Sequence, residues 1–294
     1  MNVTVERVTS VEEFLDRTGS FRNEYPVETN LIGAIATGVS NGMKVYQDCF
    51  WWILSKGNEV EGIAIRTPPY RLVVSPASQE AIQLLARSVS DNDREFWGVL
   101  GPEDTATEFV AKWCELNGRQ RSEFPITMRE TIYVLGEHTP LLEVKGSAYK
   151  ATEKDIPLLI DWVLAFAKEA GVFQPNPPTE AEMLSRLEST AMMLWQVDGY
   201  PVAMAGHAAI VDGENIRTGR IGPVYTMPTE RGHGYGAAVT SAIIEHLESL
   251  KCTSIMLYAD NDYGKSNRVY QGLGFRPVGA IVERGAHPDL TESS

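Results

Sequence analysis

At 294 residues, with 43% hydrophobic and 22% charged side chains, the chain has the balance of a soluble globular protein and the length for about two domains. Its net charge of −13 divides evenly, −7 over residues 1–145 and −6 over the rest, which excludes a basic nucleic-acid arm in either half. No apolar run is long enough to span a bilayer, and the first ten residues lack the basic-then-apolar order of a secretory leader, so a cytoplasmic protein without membrane contact is expected.

Residues 3–8 read as a strand, followed by helical segments at 11–21 and 28–38. A hairpin spans 49–67, two apolar runs around the turn Lys56-Gly57-Asn58. Phe50, Trp51 and Trp52 lie in its first run; they read as core, with a substrate-pocket wall as the alternative. A strand at 69–76, a helix at 78–89, a strand at 96–101 and a helix at 104–118 complete the first half. The helices rest on the spacing of Ile82, Leu85, Ala86 and Val89, and of Phe109, Val110, Trp113 and Leu116. The second half repeats the plan: a strand at 147–152, helices at 155–171 and 179–190, and a hairpin at 192–211 around Asp198-Gly199. A strand at 217–226 leads to a helix beyond Arg231, then a strand at 253–260, a short helix at 265–274 and a closing strand at 275–285. The two hairpins stand about 140 residues apart, which implies an internal duplication. Gly and Pro interrupt the pattern at 136–146, so the expected domains are 1–140 and 146–294, each an α/β fold of the α+β mixed-sheet kind.

Cys49, Cys114 and Cys252 lie far apart without metal-ligand spacing and read as buried reduced thiols, and no metal is expected. The even acidity disfavours a polyanionic substrate. It serves either solubility alone or the attraction of cationic acceptors such as amines.

The densest chemical signal is residues 231–236, where Arg231, Gly232, Gly234 and Gly236 fall within six residues between a strand and a helix. Such a turn presents backbone N–H groups, free of bulky side chains, at the positive end of a helix, a site for phosphate-type anions. Pro228 breaks the preceding strand, and no acidic residue opens the helix. No Gly-Lys-Ser/Thr closes the turn, and its glycine spacing is not that of a dinucleotide fingerprint. His233 and Glu230 flank it as a phosphate neighbour and a solvated charge.

Arg231, Gly234 and Gly236 fill the positions of the acetyl-CoA signature of the GNAT superfamily of N-acetyltransferases, which the stretch resembles. A second block, Ser266, Asn267, Tyr270, Gly274 and Phe275, resembles that family's later motif, and two blocks in order are more specific than one. The resemblance covers about residues 146–290, and the first half resembles the degenerate domain that precedes the catalytic one in two-domain members. There, no glycine lies between Leu72 and Leu85, so no CoA site is expected.

The resemblance implies two tandem acyl-CoA N-acyltransferase-like domains, the second an N-acetyltransferase. Acetyl-CoA would be its co-substrate, and a primary amine of a small molecule, or an exposed amino group, its acceptor. Val224, Tyr225 and Thr226 would end a strand splayed from residues 253–260, with an N–H near Val224 polarising the thioester carbonyl. Arg231, Gly232, His233, Gly234, Tyr235 and Gly236 would hold the pyrophosphate, with Ser266, Asn267 and Tyr270 completing the cofactor site. Tyr270 would protonate the leaving thiolate; His207 is the side chain offered as base, with a water chain as the alternative. The segment departs from the family pattern at Tyr263, which stands where relatives carry Asn, and Lys265 adds a positive charge nearby. Other readings stay open: a non-catalytic acyl-CoA-binding or regulatory module, a longer acyl donor, or a mycothiol-precursor-like acceptor. A monomer or homodimer is expected.

Overall fold

A computed structural model describes residues 2–93, 95–139 and 143–285. Contacts divide the chain into two units, Met1–Thr131 together with Gly279–Ser294, and Ile132–Val278.

The first unit runs β1 (Val3–Val8), α1 (Val11–Arg17), α2 (Gly19–Glu24), α3 (Asn30–Ser40), β2 (Phe50–Lys56), β3 (Glu59–Arg66), β4 (Leu72–Val74), α4 (Gln79–Asn92), β5 (Val99–Gly101) and α5 (Glu103–Asn117). Its strands pair in the order β1-β2-β3-β4-β5, antiparallel except for β4 and β5. Successive residues of a strand face opposite sides. Trp51 therefore packs with Phe14 and Ile32 under α1 and α3, while Trp52 packs with Leu85 and Phe109 under α4 and α5. The Trp pair is core rather than pocket wall, and Trp52 donates its Nε1–H to Ser88 Oγ at 2.9 Å.

One ion pair sits inside this core. Arg66, fully buried, donates Nε–H to Asp93 Oδ2 at 2.8 Å and Nη2–H to the carbonyl of Glu95 at 3.0 Å. Asp93→Ala strands the guanidinium without its counter-charge, so unfolding in urea is expected to show a loss of about 3–5 kcal/mol. Arg66→Met in the same background is expected to recover part of it.

In the strand β6 (Ile126–Leu135) the chain passes from the first unit to the second. The second unit continues with β7 (Ser147–Lys150), α6 (Ile156–Glu169), α7 (Glu180–Ser189), β8 (Met192–Val197), β9 (Tyr200–His207), β10 (Val211–Asp212), β11 (Arg217–Thr226), α8 (Tyr235–Ser249), β12 (Ser254–Asp260) and α9 (Gly264–Gly272). The order is β6-β12-β11-β9-β8-β7, with β10 beside β11. One face packs on α8 through Ala203, Ala205, Ile221, Ile243 and Leu257; the other packs on α6 and α7 through Leu159, Met183, Leu194, Met204 and Tyr225.

β13 (Phe275–Arg284) begins in the second unit and ends in the first, where Val282, Glu283 and Arg284 pair with Gly101, Leu100 and Val99 of β5. Arg71, lying over the Trp97 ring at 4.3 Å, binds Glu283 at 2.8 Å and fixes that end. Contacts thus place the boundary at Thr131/Ile132 with a return at Gly279, whereas the sequence pattern pointed to 136–146. The difference arises from β6, which the pattern did not reveal, and from β13, whose two parts serve different units. Residues 140–142 of the expected linker, and 286–294 of the expected second domain, lie outside the described residues. Among the described residues no helix is long and apolar enough to cross a membrane.

Candidate active site

The site begins where two parallel strands part. β11 pairs with β12 from Thr218↔Ser254 to Ile221↔Leu257 and then no further, although β11 runs on to Thr226 and β12 to Asp260. On its other edge β11 keeps β9, with a bulge between Ile221 and Val224 followed by Val224↔Ala205, Tyr225↔Met204 and Thr226↔Ala203. The Met227 N–H donates to the carbonyl of Val202 at 3.1 Å. In an antiparallel ladder such bonds recur at every second residue. Tyr225 therefore bonds toward β9, while Val224 and Thr226 turn their backbone groups to the edge that β12 has left.

The opened edge leads into the glycine turn. Gly232 and Gly234 have φ of 87° and 84°, the left-handed region where a side chain is strained. Gly234 is the N-cap of α8; no side chain caps that terminus and its first turn holds no acid, so the leading N–H groups remain available to an anion. At Gly236 a Cβ would stand 3.1 Å from Thr226 Oγ1, so the helix start and strand end approach closely. Tyr235 turns its side chain into the core and offers only its backbone here, while His233 stacks on its ring at 5.5 Å. Arg231 donates Nε–H to the Thr226 carbonyl at 3.1 Å, and its Nη2 binds Glu169 Oε2 at 2.5 Å. Glu169, the last residue of α6, was not anticipated; it sits 62 residues from its partner in sequence, and nothing in its own helix marks it.

Across the opening, α9 carries the second block. Asn267 donates Nδ2–H to the carbonyls of Asp260 at 2.9 Å and Tyr263 at 3.2 Å, fixing the turn out of β12. Its Oδ1 is buried without a hydrogen-bond partner among the described residues. Tyr263, standing for the family's Asn, donates its hydroxyl to the Glu169 carbonyl at 2.5 Å. Ser266 lies half-buried in the first turn of α9. Tyr270 packs edge-on against Phe275 at 6.2 Å. Burial pushes its phenol up to about 12, yet the side chain is still partly open to solvent.

His207 has a different setting. It is 2% exposed, at the end of β9. Its Nε2 accepts the N–H of Ala191 at 3.0 Å, and its Nδ1 lies 2.7 Å from the Ala208 carbonyl, so the ring is the neutral Nδ1–H tautomer. With both nitrogens engaged by backbone, no lone pair is left for a substrate proton; the geometry is that of a strut between β8 and β9. Burial is the main cause that pushes its pKa down to about 4, from an ordinary value near 6.5.

The sign for stability follows. Between pH 6.5 and 4 the unfolded chain binds a proton at this ring that the folded chain refuses. Stability is at its full value above pH 6.5 and falls toward pH 4, by roughly 3 kcal/mol from this group. Urea midpoints at pH 7, 5.5 and 4.5 are expected to fall less steeply for His207→Gln than for the natural chain.

Known proteins share this arrangement of elements. A protein-family model described as "Acetyltransferase (GNAT) family" matches residues 158–275. Mycothiol acetyltransferase of Renibacterium salmoninarum is 40% identical over 120 residues, 37% of this chain and 36% of that protein. Mycothiol acetyltransferase of a Parafrankia species is 38% identical over 79 residues, 26% of this chain and 24% of that protein. The matched stretches thus span about a quarter to a third of these relatives. Among solved structures, a tandem GNAT protein from the clavulanic acid biosynthesis pathway superposes with a TM-score of 0.63 at 11% identity, covering 97% of this chain and 98% of that one. A GCN5-related N-acetyltransferase from Kribbella flavida gives 0.55 at 20% identity, covering 87% and 97%. At such identities the superpositions establish fold alone. Residues 158–275, which carry the opened strand and the glycine turn, are thus what this chain shares with the GNAT acetyltransferase family, and its fold is shared by a tandem GNAT protein.

Proposed function

We propose that the second unit transfers an acetyl group from acetyl-CoA to a primary amine by direct attack in a ternary complex. The observation that carries this reading is the continuity of the β11 edge with the uncapped, acid-free start of α8. The backbone N–H groups of residues 232–236, with Arg231, suit the pyrophosphate, and the edge at Val224 and Thr226 suits the amide groups and the thioester carbonyl. Asn267 Oδ1 offers a buried acceptor that a bound amide N–H would satisfy.

The chemistry needs few side chains. The neutral amine attacks the carbonyl carbon, the Val224 N–H supports the oxyanion, the C–S bond breaks, and the Tyr270 hydroxyl hydrogen-bonds the departing sulfur. A lysine-like ammonium costs roughly 4–5 kcal/mol to deprotonate at pH 7. A water relay carries that proton in our reading, because the nitrogens of His207 are taken by backbone.

The first unit takes no CoA in this reading. At the corresponding start of α4, Ser78 Oγ caps the N–H of Ala81 at 3.3 Å and donates to Glu61 at 2.9 Å, and Glu80 stands in the first turn. A capped, acid-flanked helix start repels the anion that α8 would attract.

The test is a melting curve of the full chain with acetyl-CoA, followed by CoA release across an amine panel. Stabilisation with amine-dependent release supports acetyl transfer. Stabilisation without release from any amine identifies a binding module instead, and no stabilisation at millimolar acetyl-CoA removes the cofactor reading. The likeness to mycothiol acetyltransferases favours including a mycothiol-precursor-like acceptor, and longer acyl-CoAs test the donor.

A further inference from the structure

Glu169 is the last residue of α6, where the negative end of a helix favours a cation over a carboxylate. Its own helix thus gives no reason for an acid there. Two contacts from elsewhere converge on it. Its carboxylate accepts Nη2–H of Arg231 at 2.5 Å. Its backbone carbonyl, one of the four that a helix leaves without an internal partner, accepts the Tyr263 hydroxyl at 2.5 Å. Arg231 follows β11 and Tyr263 follows β12, the two strands whose pairing ends at Ile221↔Leu257. One residue therefore ties both lips of the opening. Tyr263 is also where the chain departs from the family pattern, and an asparagine side chain has a shorter reach than a phenol.

Arg231 has a second anchor. Its Nε–H donates to the Thr226 carbonyl at 3.1 Å, and its guanidinium lies 5.9 Å from the centre of the Tyr225 ring. The group is thus held at the start of the glycine turn while its Nη donors are free to change partner. Their present partner is weakly bound: the two side chains are 48% and 41% exposed, and an ion pair so open to water contributes little. A pyrophosphate on the N–H groups of residues 232–236 brings more than one negative charge to the same guanidinium. We propose that Glu169 is a positioning residue that competes with this anion for Arg231: the arriving anion takes the guanidinium, repels the carboxylate and loosens the end of α6. That the anion belongs to acetyl-CoA rests on the acetyl-transfer reading; the exchange of one anion for another at Arg231 does not.

The test is calorimetric binding of acetyl-CoA and of inorganic pyrophosphate to the full chain. Glu169→Gln is expected to bind both about 5- to 20-fold more tightly, whereas Glu169→Asp, which keeps the charge, stays within threefold of the natural chain. Arg231→Gln is expected to weaken binding, and in that background Glu169→Gln is expected to gain less than twofold, because the competition runs through the guanidinium. Hydrogen exchange reads the other end. The amides of Ala170 and Val172, bonded to the carbonyls of Phe166 and Ala167, are expected to exchange at least fivefold faster with acetyl-CoA bound, as they do in Tyr263→Phe without it. If Glu169→Gln binds both ligands equally or more weakly, Glu169 is a brace and the competition falls. If its gain persists in full without Arg231, the effect is general repulsion and the competition falls as well. Unchanged or slower exchange at the two amides removes the loosening of α6. If pyrophosphate shows the gain while acetyl-CoA does not bind, the acetyl-CoA reading fails and the exchange at Arg231 stands. If acetyl-CoA binds and is turned over with no gain in Glu169→Gln, the reading stands and the exchange fails. If neither ligand binds, both fall.

Discussion

Tyr270→Phe is expected to lower kcat by about 10²–10⁴-fold while leaving acetyl-CoA affinity within twofold. The substitution removes one oxygen and keeps the ring, so the edge-on contact with Phe275 survives. The hydroxyl makes no hydrogen bond among the described residues, so its removal strands no partner and the melting temperature is expected to stay within about 1 °C. The lost group matters only when charge reaches the sulfur. An ordinary thiol has a pKa of about 8.5, below the value of about 12 to which burial drives Tyr270. Complete transfer to the thiolate is therefore uphill at ordinary thiol acidity. The same desolvation raises the thiol as well, and the phenol acts chiefly as a hydrogen-bond donor to the developing charge. In the proposed mechanism the proton that the departing sulfur finally takes comes from the ammonium of the adduct or from water.

The pH profile separates this role from that of a base. With a pKa of about 12, Tyr270 does not titrate between pH 6 and 10. The rise of kcat/KM with pH in that range then reports the acceptor amine losing its proton, and its slope is expected to be the same in the natural chain and in Tyr270→Phe. A limb near pH 6.5 that vanishes in His207→Gln would restore His207 as a base.

The fold was legible wherever local periodicity decides it. Alternation exposed the two hairpins, 3.6-residue spacing exposed α4, α5 and α8, and the glycines of 232–236 marked the turn because a left-handed backbone and a close approach both need them. What escaped was set by distant pairing. β6 mixes Arg129 and Glu130 with apolar residues, and only Ile132 and Tyr133 are buried, so neither face reads as apolar. β13 was readable as a strand, but its division between two units depends on partners as far away as β5. His207 looked like a free imidazole on a strand because the Ala191 N–H that occupies it comes from 16 residues upstream.

The sharpest test of the anion cradle is a pair of isosteric substitutions at Gly234. Its φ of 84° and an ideal Cβ 3.5 Å from Val144 admit a short side chain at the cost of backbone strain. Asn and Asp tolerate that region better than other residues and strain it alike. Gly234→Asn and Gly234→Asp are thus expected to differ in charge alone. In the ligand-free chain the aspartate lies beside the positive end of α8 and melts at or slightly above the asparagine variant, an effect of about 0.3–1 kcal/mol. Toward acetyl-CoA the order reverses. A carboxylate about 5 Å from a pyrophosphate charge, at an effective dielectric constant near 20, repels it by about 3 kcal/mol, on the order of a 100-fold loss of affinity. Gly234→Asn is expected to bind within about tenfold of the natural chain, the loss being that of ordering a strained turn. Raising salt from 0.05 to 0.5 M is expected to narrow the gap between the variants, because the repulsion is screened and the strain is not. Equal affinities for the two variants, with both folded, would place the pyrophosphate somewhere other than the start of α8.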